Sequence, residues 1–91
     1  MFYYLYKITN KINGKYYIGV HQTKNLDDNY MGSGFALRED IKKFGFENFE
    51  KTILEFFDNS EDMYAREQEL VNKEMVNSND TYNLIHGGIK L

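Results

Sequence analysis

Cysteine is absent from these 91 residues, which excludes a disulfide scaffold and any thiolate metal site. No apolar run approaches the roughly 18 residues of a membrane-crossing helix. No basic segment leading into an apolar one is present, so no export signal is expected. Linkers rich in Pro, Gly or Ser, internal repeats and low-complexity runs are missing too, and a chain of 91 residues has room for one domain. The expectation is a single soluble domain inside the cell, in the cytoplasm.

What is present is aromatic bulk. The chain is 42% hydrophobic, with eight Tyr and seven Phe, and a domain this small needs a core dense in large side chains. An aromatic content of 16% and a net charge of −3 argue against disorder. The charge is uneven. Residues 1–51 carry eight Lys/Arg against six Asp/Glu, and residues 52–91 carry three against eight. A pI near 5.3 gives no overall electrostatic footprint for nucleic acid.

Phe2 to Thr9 (FYYLYKIT) is β-branched and aromatic and predicts a strand. Asn13-Gly14 predicts a two-residue type I′ turn, in which both central residues need positive φ. Lys15 to Val20 predicts the returning strand, and the polar stretch 21–32 an irregular connection. A helix is expected from Phe35 to Phe44, with Leu37, Ile41 and Phe44 on its apolar face and Gly45 as a left-handed C-cap. Phe49 to Phe57 predicts a third strand. Asp58-Asn59-Ser60 predicts a turn and an N-cap for a long helix from about Glu61 to Val76. The tail from Thr81 to Leu91, with Gly87-Gly88, reads as a closing loop. The order β-β-α-β-α predicts an α+β domain with helices packed on an antiparallel sheet.

Three places depart from plain packing. Glu67 sits on the stripe of Met63, Leu70 and Val71, and a Glu is almost never fully buried unless paired. It is either a stripe-edge carboxylate bonded to Arg66 or a neighbouring strand, or a catalytic or metal-binding group. In the hairpin, a two-residue turn at Asn13-Gly14 makes opposed positions sum to 27. Tyr6 then faces His21, Ile8 faces Gly19, and Asn10 faces Tyr17. Strand alternation puts Tyr6, Tyr17 and His21 on one face with Gly19 leaving a gap between them. Two phenols and an imidazole around bare backbone suit an anionic or hydroxylic ligand, although Tyr is also a common strand residue. In the tail, Asn83 beside Tyr82 reads as a residue bonded to backbone at the edge of the core, and His86 as a loop residue.

Taken together, these residues resemble the GIY-YIG nuclease superfamily. Tyr17-Ile18-Gly19 matches the second motif, and Tyr4-Leu5-Tyr6 stands where the first has Gly-Ile-Tyr. Lys43-Phe44-Gly45, Glu47-Asn48-Phe49, Ala65-Arg66-Glu67 and Tyr82-Asn83-Leu84 follow in the family's order. The likeness is greatest to phage-type homing endonucleases. It implies a three-stranded antiparallel sheet flanked by helices and metal-dependent hydrolysis of DNA phosphodiester bonds. It also implies one Mg²⁺ or Mn²⁺ ion with Glu67 as its sole protein ligand, Tyr6 as general base or water-orienting phenol, and Tyr17 polarising the phosphate or its water. Asn83 would hold the site backbone or the phosphate. Free-standing members often carry a separate DNA-binding segment, and none is expected within residues 1–91.

One expected feature is missing. The resemblance implies an Arg about eight residues after Gly19, and Asp27 stands there. Lys24, Arg38 and His21 are the candidates for that positive charge, with His21 first. His21, set opposite Tyr6 by the expected register, would receive its proton or lower its pKa. DNA is the expected partner. A domain of net charge −3 should bind it non-specifically, with a Kd of about 10⁻⁴ M. Lys7, Lys11, Lys15, Lys24, Lys42 and Lys43 are expected to form a local positive face, and a duplex cut implies a transient dimer on DNA. The rival readings are an interaction module without chemistry and a structural domain whose tyrosines are packing.

Overall fold

A computed structural model describes residues 1–83. Strands β1 (Phe2–Asn10), β2 (Tyr16–Thr23) and β3 (Phe49–Phe57) form one antiparallel sheet in the order β2-β1-β3. Helix α1 (Phe35–Phe44) precedes β3, while α2 (Ser60–Leu70) and the short α3 (Lys73–Val76) follow it. This is the expected α+β order. β1 is flanked on both edges, and Tyr4, Leu5, Tyr6 and Ile8 on it are all at most 1% exposed.

The hairpin differs from the expected one. Asn10 bonds across to Lys15, and the loop holds four residues, Lys11 to Gly14. Gly14 has positive φ (78°) but Asn13 does not, so no type I′ turn forms. Instead Asn13 Oδ1 accepts from the Lys15 N–H and Asn10 Oδ1 accepts from the Ile12 N–H, side-chain turns that stabilise a longer loop. Opposed positions therefore sum to 25, and Tyr6 faces Gly19, Tyr4 faces His21 and Ile8 faces Tyr17. A shift of two residues preserves parity, so the expected sharing of one face survives.

Helix α1 ends at Gly45 with positive φ (94°), but with extended ψ rather than a left-handed cap, and a 3₁₀ turn follows at Phe46–Asn48. The long helix expected to Val76 breaks after Leu70. Asn72 Oδ1 accepts from the Met75 N–H and starts α3, a local bond that competes with helix continuation.

The sheet has two dissimilar faces. On one, Tyr4, Tyr6, Ile8, Phe49 and Tyr82 pack with Leu37 of α1, aided by Ile41 and Phe44. On the other, Leu5 and Ile18 pack with Val71, with Val20, Leu70 and Met75 around them. A bulge between Leu5 and Tyr6 leaves Leu54 as the extra residue of β3, since Leu5 faces Glu55 and Tyr6 faces Ile53. Without it Glu55 would oppose Tyr4. With it Phe56 does, ring to ring at 6.0 Å, and Glu55 pairs with Arg66.

Beyond Tyr16, residues 80–83 run along the outer edge of β2. The Tyr82 N–H donates to the Tyr16 carbonyl (2.7 Å), and the Tyr16 N–H donates to the Asp80 carbonyl (3.0 Å). Buried Asn10 donates to the Tyr82 hydroxyl, which donates to Asp40 of α1. His86 and Gly87-Gly88 lie outside the described residues.

Candidate active site

Gly19 is the floor of the site. A Cβ there would lie 2.5 Å from the Tyr6 hydroxyl oxygen and 2.8 Å from the Tyr17 ring, so only glycine lets both phenols converge over β2. Gly34, at the start of α1, meets the Tyr17 ring from the other side, where a Cβ would come within 2.6 Å. The Tyr6 and Tyr17 rings are 6.1 Å apart.

Residues 24–34 form a strap that turns back over this face. Tyr30 stacks on His21 at 3.6 Å with the rings parallel, and meets Tyr6 edge-on at 5.7 Å. His21 Nε2 lies 2.8 Å from Asp28 Oδ2. That contact, first among the causes, holds the Asp28 carboxyl down at about 2. Lys51, opposite Ile8 on β3, pins the strap: its ammonium donates to the Tyr4 hydroxyl (2.6 Å) and the Tyr30 carbonyl (2.9 Å). It also lies within 5.6 Å of the Tyr4, Tyr6 and Tyr30 ring centres. Burial pulls the Lys51 pKa down.

Burial raises the phenols. Tyr4 is pushed up to about 12, first by desolvation and then by the Asp28 charge. Tyr6 rises above the ordinary phenol value, mainly by desolvation, with further push from Tyr30, Tyr17 and the Glu67 carboxylate. Tyr17 rises through desolvation, with Tyr30 and Glu67 adding to the rise and a hydrogen bond to Ser33 opposing it. Half-buried Glu67 on α2 therefore acts on both motif tyrosines. Its neighbour Arg66 pairs with Glu69 (2.7 Å) and Glu55 (3.3 Å).

Asn83 completes β2 from outside. Its Oδ1 accepts from the Ile18 N–H (3.0 Å) and the Thr81 hydroxyl (2.8 Å), and its Nδ2 donates to the Ile18 carbonyl (2.7 Å). Both ends of the amide thus hold backbone beside Gly19.

Tyr6, Tyr17 and His21 share the face that the sequence assigns them, but His21 sits opposite Tyr4 rather than Tyr6. The two-residue shift comes from the longer loop. Arg38 lines a groove next to the strap together with Lys42 and Tyr30. Lys24 is exposed within the strap and makes none of the bonds above. Lys7 falls outside the expected basic face, since it lies over the Tyr16 ring on the opposite side of the sheet. Lys51, Tyr4, Tyr30 and Asp28 were not legible as site residues. Lys51 reaches the site through the pairing of β3 with β1, which a local pattern does not encode.

Among the described residues no group of three or more His, Asp or Glu side chains is gathered to cage a metal ion. The half-buried Glu67 carboxylate, whose charge acts on two phenols, still fits a hard cation, which takes one carboxylate and keeps its waters.

No solved structure matches the chain significantly. Two proteins of Enterobacteria phage T4, segB and segC, which carry provisional endonuclease names, are 59% and 53% identical over 97% of this chain. The T4 protein named endonuclease segA is 46% identical over 93% of it. The chain spans only about two fifths of the length of these relatives, 40% of segB and 38% of segA. Residues 2–83 match the family described as the GIY-YIG catalytic domain, and the chain belongs to that family.

Proposed function

We propose that this chain is the catalytic domain of a DNA endonuclease that hydrolyses phosphodiester bonds with one divalent ion. The observation that carries the reading is the convergence of Tyr6 and Tyr17 over Gly19, within the field of Glu67. The endonuclease names of the longer relatives support the same activity here.

Glu67 is the residue to hold the ion, Mg²⁺ or Mn²⁺. Such an ion supplies charge neutralisation at the phosphate and an acidified water. The remaining work falls to the chain's own side chains. Tyr6, with its pKa raised by burial, keeps its proton at neutral pH, so it acts as a hydrogen-bond donor that orients water or a phosphate oxygen. Tyr17 polarises the phosphate from the other side of Gly19. His21 gives its Nε2–H to Asp28, which leaves Nδ1 as the nitrogen to take a proton. A positioned base of this kind contributes about 10²–10⁴-fold in rate. Arg38, with Lys24 farther out, receives DNA phosphates, and Asn83 keeps the backbone at Gly19 fixed. With a net charge of −3, the domain alone binds DNA weakly and non-specifically, at a Kd of about 10⁻⁴ M at physiological salt. A double-strand cut by one such site calls for a transient pair of domains on DNA.

The test is nicking of supercoiled plasmid with Mg²⁺, with Mn²⁺ and with EDTA, by wild type and Glu67→Ala. The reading expects metal-dependent nicking and, in the variant, a loss on the order of 10³-fold, the scale of several kcal/mol of charge stabilisation. Metal-independent nicking, or a variant as active as wild type with an unchanged melting curve, would overturn it.

A further inference from the structure

Beside the phenolic site lies a groove of about 470 Å³ between α1 and residues 29–33 of the strap. Arg38 and Lys42 face it from α1, one helical turn apart. Like charges at this spacing destabilise a helix, and neither forms an ion pair with a described carboxylate. Asp40, between them in sequence, instead accepts a hydrogen bond from Tyr82. Among the described residues, two cations on one face of one helix are therefore left without an ion-pair partner.

Tyr30, Met31, Ile41 and Phe46 give the groove an aromatic and apolar wall, and Asn29, Gly32 and Ser33 of the strap complete it. Phe46 is 58% exposed. An exposed aromatic ring beside two cations is the combination that binds unpaired nucleic acid, with bases stacking on the ring and phosphates meeting the charges. The groove continues into the catalytic face through Tyr30, which touches both Tyr6 and His21.

We propose that this groove holds unpaired nucleotides adjoining the scissile phosphate, with Arg38 and Lys42 on their phosphates and a base stacked on Phe46. The word scissile rests on the nuclease reading above; the binding does not. Paired DNA offers the same phosphates but keeps its base faces inside the stack, so a duplex would use the cations and leave Phe46 bare. The groove therefore prefers a single strand, or a junction where one strand is unpaired, to an intact duplex.

The experiment is fluorescence anisotropy in EDTA at low salt, with a labelled short oligo(dT), the matching duplex and an abasic strand of the same length. Wild type should bind oligo(dT) more tightly than either of the others. Phe46→Ala should weaken oligo(dT) about tenfold, within the range for loss of one stacked base, and leave the abasic strand unchanged. Arg38→Gln with Lys42→Gln should weaken all three probes and lower the single-strand salt slope by about 1.4. Melting curves check the fold of each variant; Phe46, Arg38 and Lys42 are all exposed. Equal binding of oligo(dT) and duplex, or oligo(dT) binding untouched by Phe46→Ala, overturns the proposal. Because no metal is present, a domain that binds in this pattern but never nicks plasmid keeps the groove and loses the nuclease reading. A domain that nicks with metal but shows none of the three effects does the reverse.

Discussion

The two faces of one sheet are built from the same three strands and are packed by different chemistry. The face of Leu5, Ile18 and Val71 is aliphatic and closed by the end of α2 and by α3. The face of Tyr4, Tyr6 and Ile8 is phenolic and is crossed by a strap held through Lys51, and two glycines let its rings approach. Branched aliphatic side chains satisfy themselves by packing, whereas buried phenols also need polar partners. The phenolic face has such partners, including Lys51 on Tyr4 and Asn10 on Tyr82. Both faces bury a core, and on the proposed reading the phenolic one also carries the chemistry, one residue away in sequence along β1.

This division can be broken from either side. The largest effect is expected from Gly19→Ala, whose Cβ would press on the Tyr6 hydroxyl and the Tyr17 ring. A displacement near 1 Å at a reacting centre costs about 10²-fold in rate, and nicking kinetics should show at least that. On the aliphatic face, Leu5→Ala should cost about 2–5 kcal/mol of stability, measured by urea unfolding, while the folded fraction keeps wild-type nicking. The smallest effect concerns Asp28. Its pKa is held down at about 2 from a reference of 3.8. The contribution of its ionised form is therefore complete above the reference value and lost as pH falls toward 2. The difference in melting temperature between wild type and Asp28→Asn should be constant near neutrality and shrink across that acid window.

Much of this was legible in the sequence. Strand alternation grouped Tyr6, Tyr17 and His21, and parity protected that grouping when the hairpin register moved by two. Leu37, Ile41 and Phe44 were readable as the inner face of α1 because helical spacing is local. The register itself was not readable: Asn13-Gly14 favours a two-residue turn, yet the side chains of Asn10 and Asn13 bond within a longer loop. Lys51 and Phe56 were hidden for another reason. Their place depends on the pairing of β3 with β1 and on the bulge at Leu54, contacts made across more than forty residues of chain. The break after Leu70 has a local cause, the bond from the Met75 N–H to the Asn72 side chain, which the apolar stripe of Met63, Leu70 and Val71 does not reveal.

The central claim is that the phenolic face is a hydrolytic site rather than packing, and Tyr6→Phe tests it most directly. The substitution removes one oxygen from a ring that is 1% exposed and leaves its volume in place, so stability should change by no more than about 1.5 kcal/mol. Metal-dependent plasmid nicking should fall on the order of 10²-fold or more while the unfolding midpoint stays close to wild type. Nicking at the wild-type rate by a folded Tyr6→Phe domain would contradict it.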